Sequence, residues 1–322
     1  MNILKKLLTG LTLCTLGLTT TWAQDFPSRH ITLIVPYTAG GTADGIGRAL
    51  GQELAKQLNT TIIVENKPGA GASIGTEYVA KSEPDGHTWL LVSTSALTVY
   101  PHIGHASYDP LNDFIPLASV AISPVALAAT KQTSENNFEE LLQTASKQPE
   151  KIRYGTPGVG TNAHLGIEQL SQEKGIKLMH VPYKGNSQAL TDAVGGAFEL
   201  LVTNADVVLP HAERGALKPL AVMAPERLEV WPDTPTLAEL GYPEAQYYSD
   251  FGLFLPAGTP EPIVNKIFQA LEMVLHDPNY NEFLNKTYNM QGLGTLDNYA
   301  QQIKNQYEQN GNVIANINLQ AN

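Results

Sequence analysis

Residues 35–44 combine two features of an anion-binding turn, an unobstructed backbone and the start of a helix. Their sequence is Val-Pro-Tyr-Thr-Ala-Gly-Gly-Thr-Ala-Asp. Gly40 and Gly41 leave consecutive backbone N–H groups accessible, and the following helix adds unpaired N–H groups and the positive end of its dipole. We therefore predict that this turn binds a negatively charged group. The alternative is an ordinary tight turn, in which Asp44 caps the helix or pairs with its dipole.

The segments on either side of this turn are the elements that must position it. The apolar run Ile31–Val35 predicts a short buried strand. A helix is predicted over Ala43–Leu58, because Ile46, Leu50 and Leu54 recur at helical spacing. The turn therefore joins the end of a strand to the beginning of a helix, which is where phosphate and carboxylate groups bind in α/β proteins.

A second glycine-rich loop repeats this plan at residues 155–161, with the sequence Gly-Thr-Pro-Gly-Val-Gly-Thr. It follows a predicted strand, Ile152–Gly155, and precedes a predicted helix, Asn162–Lys174. The loop has neither the Lys-Ser/Thr end of a P-loop nor the G-x-G-x-x-G order of a dinucleotide site. His164, in the first turn of the helix, is the one histidine that we expect near a ligand; a surface cap is the alternative.

Strand and helix signals alternate along the remaining chain, which is typical of an α/β fold. We predict two lobes, each a mostly parallel sheet flanked by helices. Ligands of open α/β sheets bind beyond the carboxyl ends of the strands, so the two loops should face each other across a cleft. Further strands are predicted at Thr61–Glu65, Thr88–Ser93, Leu178–Tyr183, Phe198–Thr203, Pro219–Met223 and Tyr247–Leu255, with an apolar run at Phe114–Ala129. Further helices are predicted at Ser73–Lys81, Phe138–Lys147, Ser187–Val194, Ala205–Glu213, Leu237–Leu240, Glu261–Leu275, Tyr280–Asn289 and Leu296–Ile317.

The first residues have the pattern of a secretory signal peptide. Lys5 and Lys6 precede an apolar stretch, Leu7–Leu18, and Thr21-Trp22-Ala23 provides small residues for cleavage after Ala23. Residues 1–23 are therefore predicted to be removed on export. The only cysteine, Cys14, lies in this segment, so the mature chain is expected to hold no disulfide or lipid anchor.

The composition limits the classes of partner. The chain has 322 residues, of which 43% are hydrophobic and 16% charged, as in globular proteins. Loss of Lys5 and Lys6 takes the formal charge from −11 to −13. Such a surface excludes nucleic acid and anionic membrane as expected partners. The eight histidines show no metal-ligand spacing, and we expect neither a metal nor a cofactor.

An ordered series of short motifs spans the mature chain. It comprises Val35–Asp44 with Arg48, Val64–Gly71, Pro84-Asp85-Gly86-His87-Thr88, Tyr108-Asp109-Pro110, Tyr183-Lys184-Gly185, Pro235-Thr236 and Pro256-Ala257-Gly258-Thr259-Pro260. This series resembles the Bug or TctC family, the periplasmic solute-binding proteins of tripartite tricarboxylate transporters.

The resemblance implies a periplasmic binding protein of the type II-like, two-lobed architecture. Its lobes are expected at residues 24–124 with 250–322, and at residues 125–249. It also implies a monomer in the periplasm, without enzymatic activity, that closes on a small carboxylate and delivers it to membrane permease subunits. A mono- or dicarboxylate, an amino acid and an aromatic acid all remain open as the ligand.

The resemblance further implies that the loops Tyr37–Asp44 and Thr156–His164 hold one carboxylate. Thr203, Asn204 and Asp250 are expected to tune selectivity. At Thr203 and Asp250 the family often has Asp and Trp, so the ligand's distal contacts differ here. The candidate ligand-binding residues are Tyr37, Thr38, Ala39, Gly40, Gly41, Thr42, Asp44, Ser93, Ser95, Thr156, Gly158, Val159, Gly160, Thr161, His164, Lys184, Gly185, Thr203, Asn204 and Asp250.

One motif supports a function of another class. Residues 71–75 read Gly-Ala-Ser-Ile-Gly, which matches the G-x-S-x-G of a hydrolase nucleophile elbow. An exported serine esterase using Ser73 is the alternative hypothesis. Such an enzyme needs a downstream acid and a downstream histidine. His211 and His276 are candidates for the histidine, although each lies in a helical pattern without a supporting signature.

Overall fold

The computed structural model describes residues 26–292 and 296–320. The signal peptide predicted at residues 1–23, with Cys14, lies outside the described residues. The strands are β1 (Ile31–Val35), β2 (Ile62–Asn66), β3 (Thr88–Ser93), β4 (Phe114–Ser123), β5 (Val125–Ala129), β6 (Arg153–Thr156), β7 (Met179–Pro182), β8 (Leu200–Asn204), β9 (Lys218–Met223), β10 (Ser249–Pro256) and β11 (Met290–Gln291).

The helices alternate with these strands as the sequence predicts. They are α1 (Thr42–Leu58), α2 (Ser73–Ala80), α3 (Ser95–Thr98), α4 (Tyr100–Ile103), α5 (Phe138–Lys147), α6 (Asn162–Lys174), α7 (Asn186–Gly195), α8 (Ala205–Ala212), α9 (Glu261–Leu275), α10 (Pro278–Lys286) and α11 (Leu296–Ile317). The short helices α3 and α4 have no counterpart among the predicted elements, because a single turn carries no periodic signal.

Within the described residues, six strands form one sheet in the order β11-β4-β10-β3-β1-β2. Strand β1 pairs in parallel with β2 and β3, whereas β10 pairs antiparallel with both β3 and β4. Strands β1 to β4 consequently run in one direction, and β10 runs against them. The second sheet contains five strands of the described chain, in the order β7-β6-β8-β5-β9. Here β5 runs against its neighbours β8 and β9, and β6 is parallel to β7 and β8.

This arrangement confirms the predicted α/β fold with two sheets flanked by helices, each running mostly in one direction. The chain passes from the first sheet to the second at Pro124, between β4 and β5. It returns between Met223 and Ser249. Proline supplies no backbone N–H, so the apolar run Phe114–Ala129 divides into two strands at this residue.

Helix α1 packs close to the first sheet because two of its residues have no side chain. A Cβ atom added at Gly47 would lie 3.0 Å from a methyl carbon of Val35 and 3.2 Å from one of Leu91. One added at Gly51 would lie 3.4 Å from Ile62. The close approach fixes the start of α1 relative to the end of β1, which is the turn that the sequence singles out.

The second sheet is covered on both faces. Val125, Leu127 and Ala129 of β5 belong to one buried cluster, and the intervening residues Ala126 and Ala128 belong to another. This is the period of two expected of a strand, with apolar residues on both faces. Both loops that leave the carboxyl ends of β6 and β8 are therefore held by a rigid support.

One predicted helix is wrong. Residues 237–240 form a turn, because Thr236 makes a parallel bridge to Val222 beside β9 and Leu237 donates its N–H to the Val222 carbonyl at 2.9 Å. Three apolar residues, Leu237, Ala238 and Leu240, beside a sheet edge give the same sequence pattern as one helical turn. Across the described residues, the structure shows no helix long and apolar enough to cross a membrane.

Candidate functional site

A narrow cavity lies between the two sheets, where the loops after β1, β3, β6 and β8 meet the beginnings of β5 and β10. About 30 Å³ of it is open to the centre of a water molecule, which is room for roughly two waters. A larger molecule can therefore enter only when the walls separate. The lining residues are Tyr37, Gly41, Thr42, Ala43, Ser93, Ser95, Val125, Pro157, Thr161, Ala163, Asn186, Thr203, Asn204, Ser249 and Phe251.

The beginning of α1 forms one side of the cavity. Gly41 is the N-cap residue, with extended backbone and no capping side chain. The N–H groups of the first helical residues, Thr42 and Ala43, have no acceptor inside the helix, and both residues line the cavity. The N–H of Gly40 differs, because it donates to the Asp44 carboxylate at 3.0 Å. The amides of Gly41, Thr42 and Ala43 are thus better placed for an anion than that of Gly40.

Asp44 has a structural role at this helix end. Its carboxylate accepts hydrogen bonds from Arg48 at 2.9 and 3.0 Å and from the Asn66 amide at 3.0 Å. Burial acts to raise the pKa of Asp44, but these bonds, with that from Gly40, outweigh burial and lower it. Asp44 is therefore ionised and fixes the turn. Its position agrees better with the predicted alternative, in which it pairs with the helix dipole, than with contact to a ligand.

The beginning of α6 forms part of the opposite side. Thr161 caps the helix by accepting the His164 N–H at 3.3 Å, which leaves the N–H groups of Asn162 and Ala163 without an acceptor inside the helix. Ala163 lines the cavity. The glycine amides that the sequence points to are used inside the loop instead: Gly158 donates to the Thr156 hydroxyl at 3.2 Å.

His164 lies behind this loop, outside the cavity lining. Its Nδ1 accepts the Gly160 N–H at 3.3 Å. Its ring stacks on that of His180 at 4.0 Å between centroids, and His180 bonds the Thr156 hydroxyl at 2.7 Å. Burial lowers the pKa of His164 to about 4 and that of His180 to about 2. Both rings are neutral at physiological pH and support the loop from beneath.

Hydrogen bonds between side chains join the two sides of the cavity. Thr42, on α1, donates to Asp206 of α8 at 2.7 Å and accepts from the Asn186 amide at 2.8 Å. Asn186 also donates to Asn204 at 2.9 Å, and Asn204 donates to Ser249 of β10 at 2.9 Å. Side chains on the side of the first sheet thereby hydrogen-bond directly to side chains on the side of the second sheet.

A second contact joins the same loops. The Thr38 and Ser187 hydroxyls lie 2.7 Å apart. Gly185 is required here, since a Cβ atom on it would lie 2.4 Å from the Thr38 hydroxyl and its φ is +151°. The predicted residues Thr38 and Gly185 therefore meet each other next to the cavity and do not line it.

The structure does not bring Asp250 to the cavity, which corrects that expectation. Successive side chains of a strand point to opposite faces, and Ser249 and Phe251 on either side of it line the cavity. The Asp250 carboxylate accepts hydrogen bonds from the Ser119 and Tyr299 hydroxyls instead. Burial raises the pKa of Asp250 to about 6.

Eight of the candidate residues line the cavity: Tyr37, Gly41, Thr42, Ser93, Ser95, Thr161, Thr203 and Asn204. The candidates outside the lining are Thr38, Ala39, Gly40, Asp44, Thr156, Gly158, Val159, Gly160, His164, Lys184, Gly185 and Asp250. Ala39 and Lys184 are exposed.

The lining also includes Ala43, Pro157 and Ala163, which lie in the two predicted loops but were not named as individual candidates. It further includes four residues outside those loops that the sequence did not single out: Val125, Asn186, Ser249 and Phe251. The alternation of side chains along β10 is the sequence signal that could have predicted Ser249 and Phe251 in the lining and Asp250 on the opposite face of the strand. No local signal marks Asn186, because its partners Thr42 and Asn204 lie 144 and 18 residues away in sequence.

Ser73 does not have the geometry of a nucleophile elbow. Its backbone is ordinary right-handed helix, with φ −60° and ψ −37°, whereas an elbow serine occupies a strained turn. The side chain is buried and hydrogen-bonds with the Tyr108 hydroxyl. Among the described residues, no contact joins Ser73 to His211 or His276.

Comparison with known proteins gives consistent results. Residues 46–319 match the sequence model of the tripartite tricarboxylate transporter family receptor, TctC. A UPF0065 protein of Bordetella pertussis is 32% identical, over 92% of either chain. Periplasmic binding protein BugD is 29% identical, with a TM-score of 0.86 over 92% of this chain and 99% of its own. MatC of Rhodopseudomonas palustris with bound malate is 28% identical, with a TM-score of 0.85 over 90% of this chain and 100% of its own.

Proposed function

Because this chain belongs to the tripartite tricarboxylate transporter receptor family, we propose that it captures one small carboxylate in the cavity between its two sheets and delivers it to the permease subunits of such a transporter. Its solved relatives include the periplasmic binding protein BugD and a TctC solute binding protein from Polaromonas, and the chain is a solute-binding protein of the same fold. The finer proposals are the ligand class, the delivery partner and the location in the periplasm after removal of residues 1–23.

The proposal that the ligand is a carboxylate rests on one observation, the convergence of helix N-termini on the cavity. Thr42 and Ala43 of α1, Ala163 of α6 and Asn186 of α7 all line it from the first turns of their helices. Free N–H groups and positive dipole ends stabilise an anion, although the part of the chain that the structure describes places no lysine or arginine in the lining. The malate bound to MatC is an anion of the kind such amides hold.

We propose that the lobes are residues 24–124 with 250–322, and residues 125–249. The division of strands between the sheets supports it: β1–β4, β10 and β11 form the first sheet, and β5–β9 form the second. The bonds from Thr42 to Asp206 and Asn186 then join one lobe to the other. Ligand entry requires these bonds to break, and closure remakes them.

Binding is proposed to leave the ligand chemically unchanged, in a monomeric protein without metal. BugD is a periplasmic binding protein, and Ser73 lacks both an elbow backbone and a histidine contact among the described residues. No observation on the described residues therefore favours the esterase alternative.

The test is titration calorimetry of the mature protein with a panel of small carboxylates in the presence of a chelator. We expect one carboxylate bound per chain, recovered unaltered afterwards. A ligand at 100 times its dissociation constant should add roughly 2.7 kcal/mol to the free energy of unfolding. Consumption of the ligand, or binding that disappears in chelator, would refute the proposal.

A further inference from the structure

The lining of the cavity is electrically neutral at physiological pH. It contains no lysine, arginine, histidine, aspartate or glutamate among the described residues, and burial raises the pKa of the Tyr37 hydroxyl, which keeps it protonated. The helix N-termini stabilise one carboxylate. A second one would lose its hydration without gaining a cation, and burying such a charge is unfavourable.

A negative charge is in direct contact with the lining. The Asp206 carboxylate bonds Thr42 directly, at 2.7 Å. It also accepts the N–H groups of Val207 and of its own residue, so the N-terminus of α8 is already occupied by an anion. This helix end therefore does not offer a second anion site, and the carboxylate repels any further negative group in the cavity.

Asp206 also sets the direction of a chain of hydrogen bonds along the wall. An ionised carboxylate only accepts, so the Thr42 hydroxyl donates to it and accepts from the Asn186 amide. Asn186 donates in turn to the Asn204 carbonyl, and the Asn204 amide donates to the Ser249 oxygen. The chain ends on Ser249, whose own hydroxyl hydrogen remains available at the cavity surface.

Thr203 supplies a second hydroxyl beside this end. Its side chain is fully buried and lines the cavity. Among the described residues, its oxygen has no hydrogen-bond partner. Buried hydroxyls in proteins are almost always paired, so a group that enters the cavity is the expected partner.

From these observations we propose that Ser249 and Thr203 recognise a neutral oxygen of the ligand, so that the preferred solute is a monocarboxylate bearing a hydroxyl or carbonyl group and not a dicarboxylate. Asp206, through Thr42, Asn186 and Asn204, is the positioning residue that holds Ser249 as a donor. This inference rests on the proposed carboxylate-binding function and names the ligand class within it.

The test uses three series of acids matched in length, from three to six carbons, measured by calorimetry at pH 7.5. The members of each set are the unsubstituted acid, the ω-hydroxy acid and the dicarboxylate. At the best length, we expect the ω-hydroxy acid to bind about tenfold more tightly than either of the others, as two neutral hydrogen bonds allow. Thr203→Val and Ser249→Ala should each reduce this advantage, measured as the ratio of the dissociation constants of the unsubstituted acid and the ω-hydroxy acid, severalfold.

The controls are Thr191→Val and Ser82→Ala, which make the same changes away from the cavity. Each of these hydroxyls donates to the carbonyl four residues earlier in the chain. Both variants should retain the full preference. Tighter binding of the dicarboxylate, or a preference that survives in both cavity variants, would overturn the inference and leave the proposed function intact. Binding of none of these acids would overturn the inference, and failure of the wider carboxylate panel as well would refute the proposed function.

Discussion

Thr42 is the residue whose replacement best tests the closure of the cleft. Its hydroxyl lies between two groups of the second sheet, Asp206 at 2.7 Å and Asn186 at 2.8 Å, while its own helix packs on the first sheet. Thr42→Val preserves the branched shape and removes both hydrogen bonds. It leaves the Asp206 carboxylate partly buried with one fewer donor.

The size of the effect follows from the charge on Asp206. A hydrogen bond to a charged group contributes about 1.5–3 kcal/mol, which corresponds to a factor of about 10–150 in the dissociation constant. The bond joins the two sheets and is not needed within either, so the loss should be felt in ligand binding. The free energy of unfolding of the free protein should change by less than about 1 kcal/mol.

The assay is calorimetry with the tightest acid from the carboxylate panel, together with chemical denaturation of the free protein. Thr42→Ser is the matched control, because it keeps the hydroxyl and should bind within about threefold of wild type. Thr38→Val should weaken binding only about two- to tenfold, since the Thr38–Ser187 bond is between neutral groups.

Two results would contradict this account of closure. One is Thr42→Val binding within twofold of wild type. The other is equal weakening by Thr42→Ser, which would assign the effect to the packing of the side chain and not to its hydroxyl.

Two further predictions concern the loops and the buried carboxyl group. Gly158→Ala should weaken binding at least tenfold, because φ is +153° and the new Cβ would lie 3.0 Å from the Tyr183 carbonyl. Gly41→Ala should cost less, as calorimetry would show, because φ is −97° and the new Cβ would lie no closer than 3.3 Å to Asn186 and 3.6 Å to the Thr38 carbonyl. Asp250→Asn should leave the ranking of ligands unchanged and stabilise the fold at pH 7.5 by about 1–3 kcal/mol. The reason is that burial raises the pKa of Asp250 to about 6. The stability that this group contributes in its protonated form is therefore lost as pH rises through that value. At pH 5 the gain should fall to about half, because the folded wild-type group is mostly protonated there while the unfolded one, with a pKa of about 3.9, is mostly ionised. An equal gain at both pH values would refute the argument.

The sequence by itself determined the layers and the position of the two loops. Apolar periodicity and glycine-rich turns are local signals, and they sufficed for β1, α5, α6 and α9, whose observed bounds match or nearly match the predicted ones. The turn before α1 and the loop before α6 were predicted as facing sides of a cleft, and residues from both line the cavity.

Only the tertiary structure decided which groups of these loops face the cavity. The sequence indicated the amides of Gly40 and Gly158, but Asp44 and Thr156 occupy them. It placed Asp250 in the cleft, whereas the register of β10 turns that carboxylate away and presents its two neighbours.

The partners of Thr42 illustrate the physical reason. Asp206 is 164 residues away in the chain and Asn186 is 144, and neither lies in a glycine-rich or otherwise distinctive motif. A side-chain hydrogen bond requires its donor and acceptor to be placed within a few tenths of an ångström. That precision comes from the packing of two sheets against each other, and no pattern within a single loop contains it.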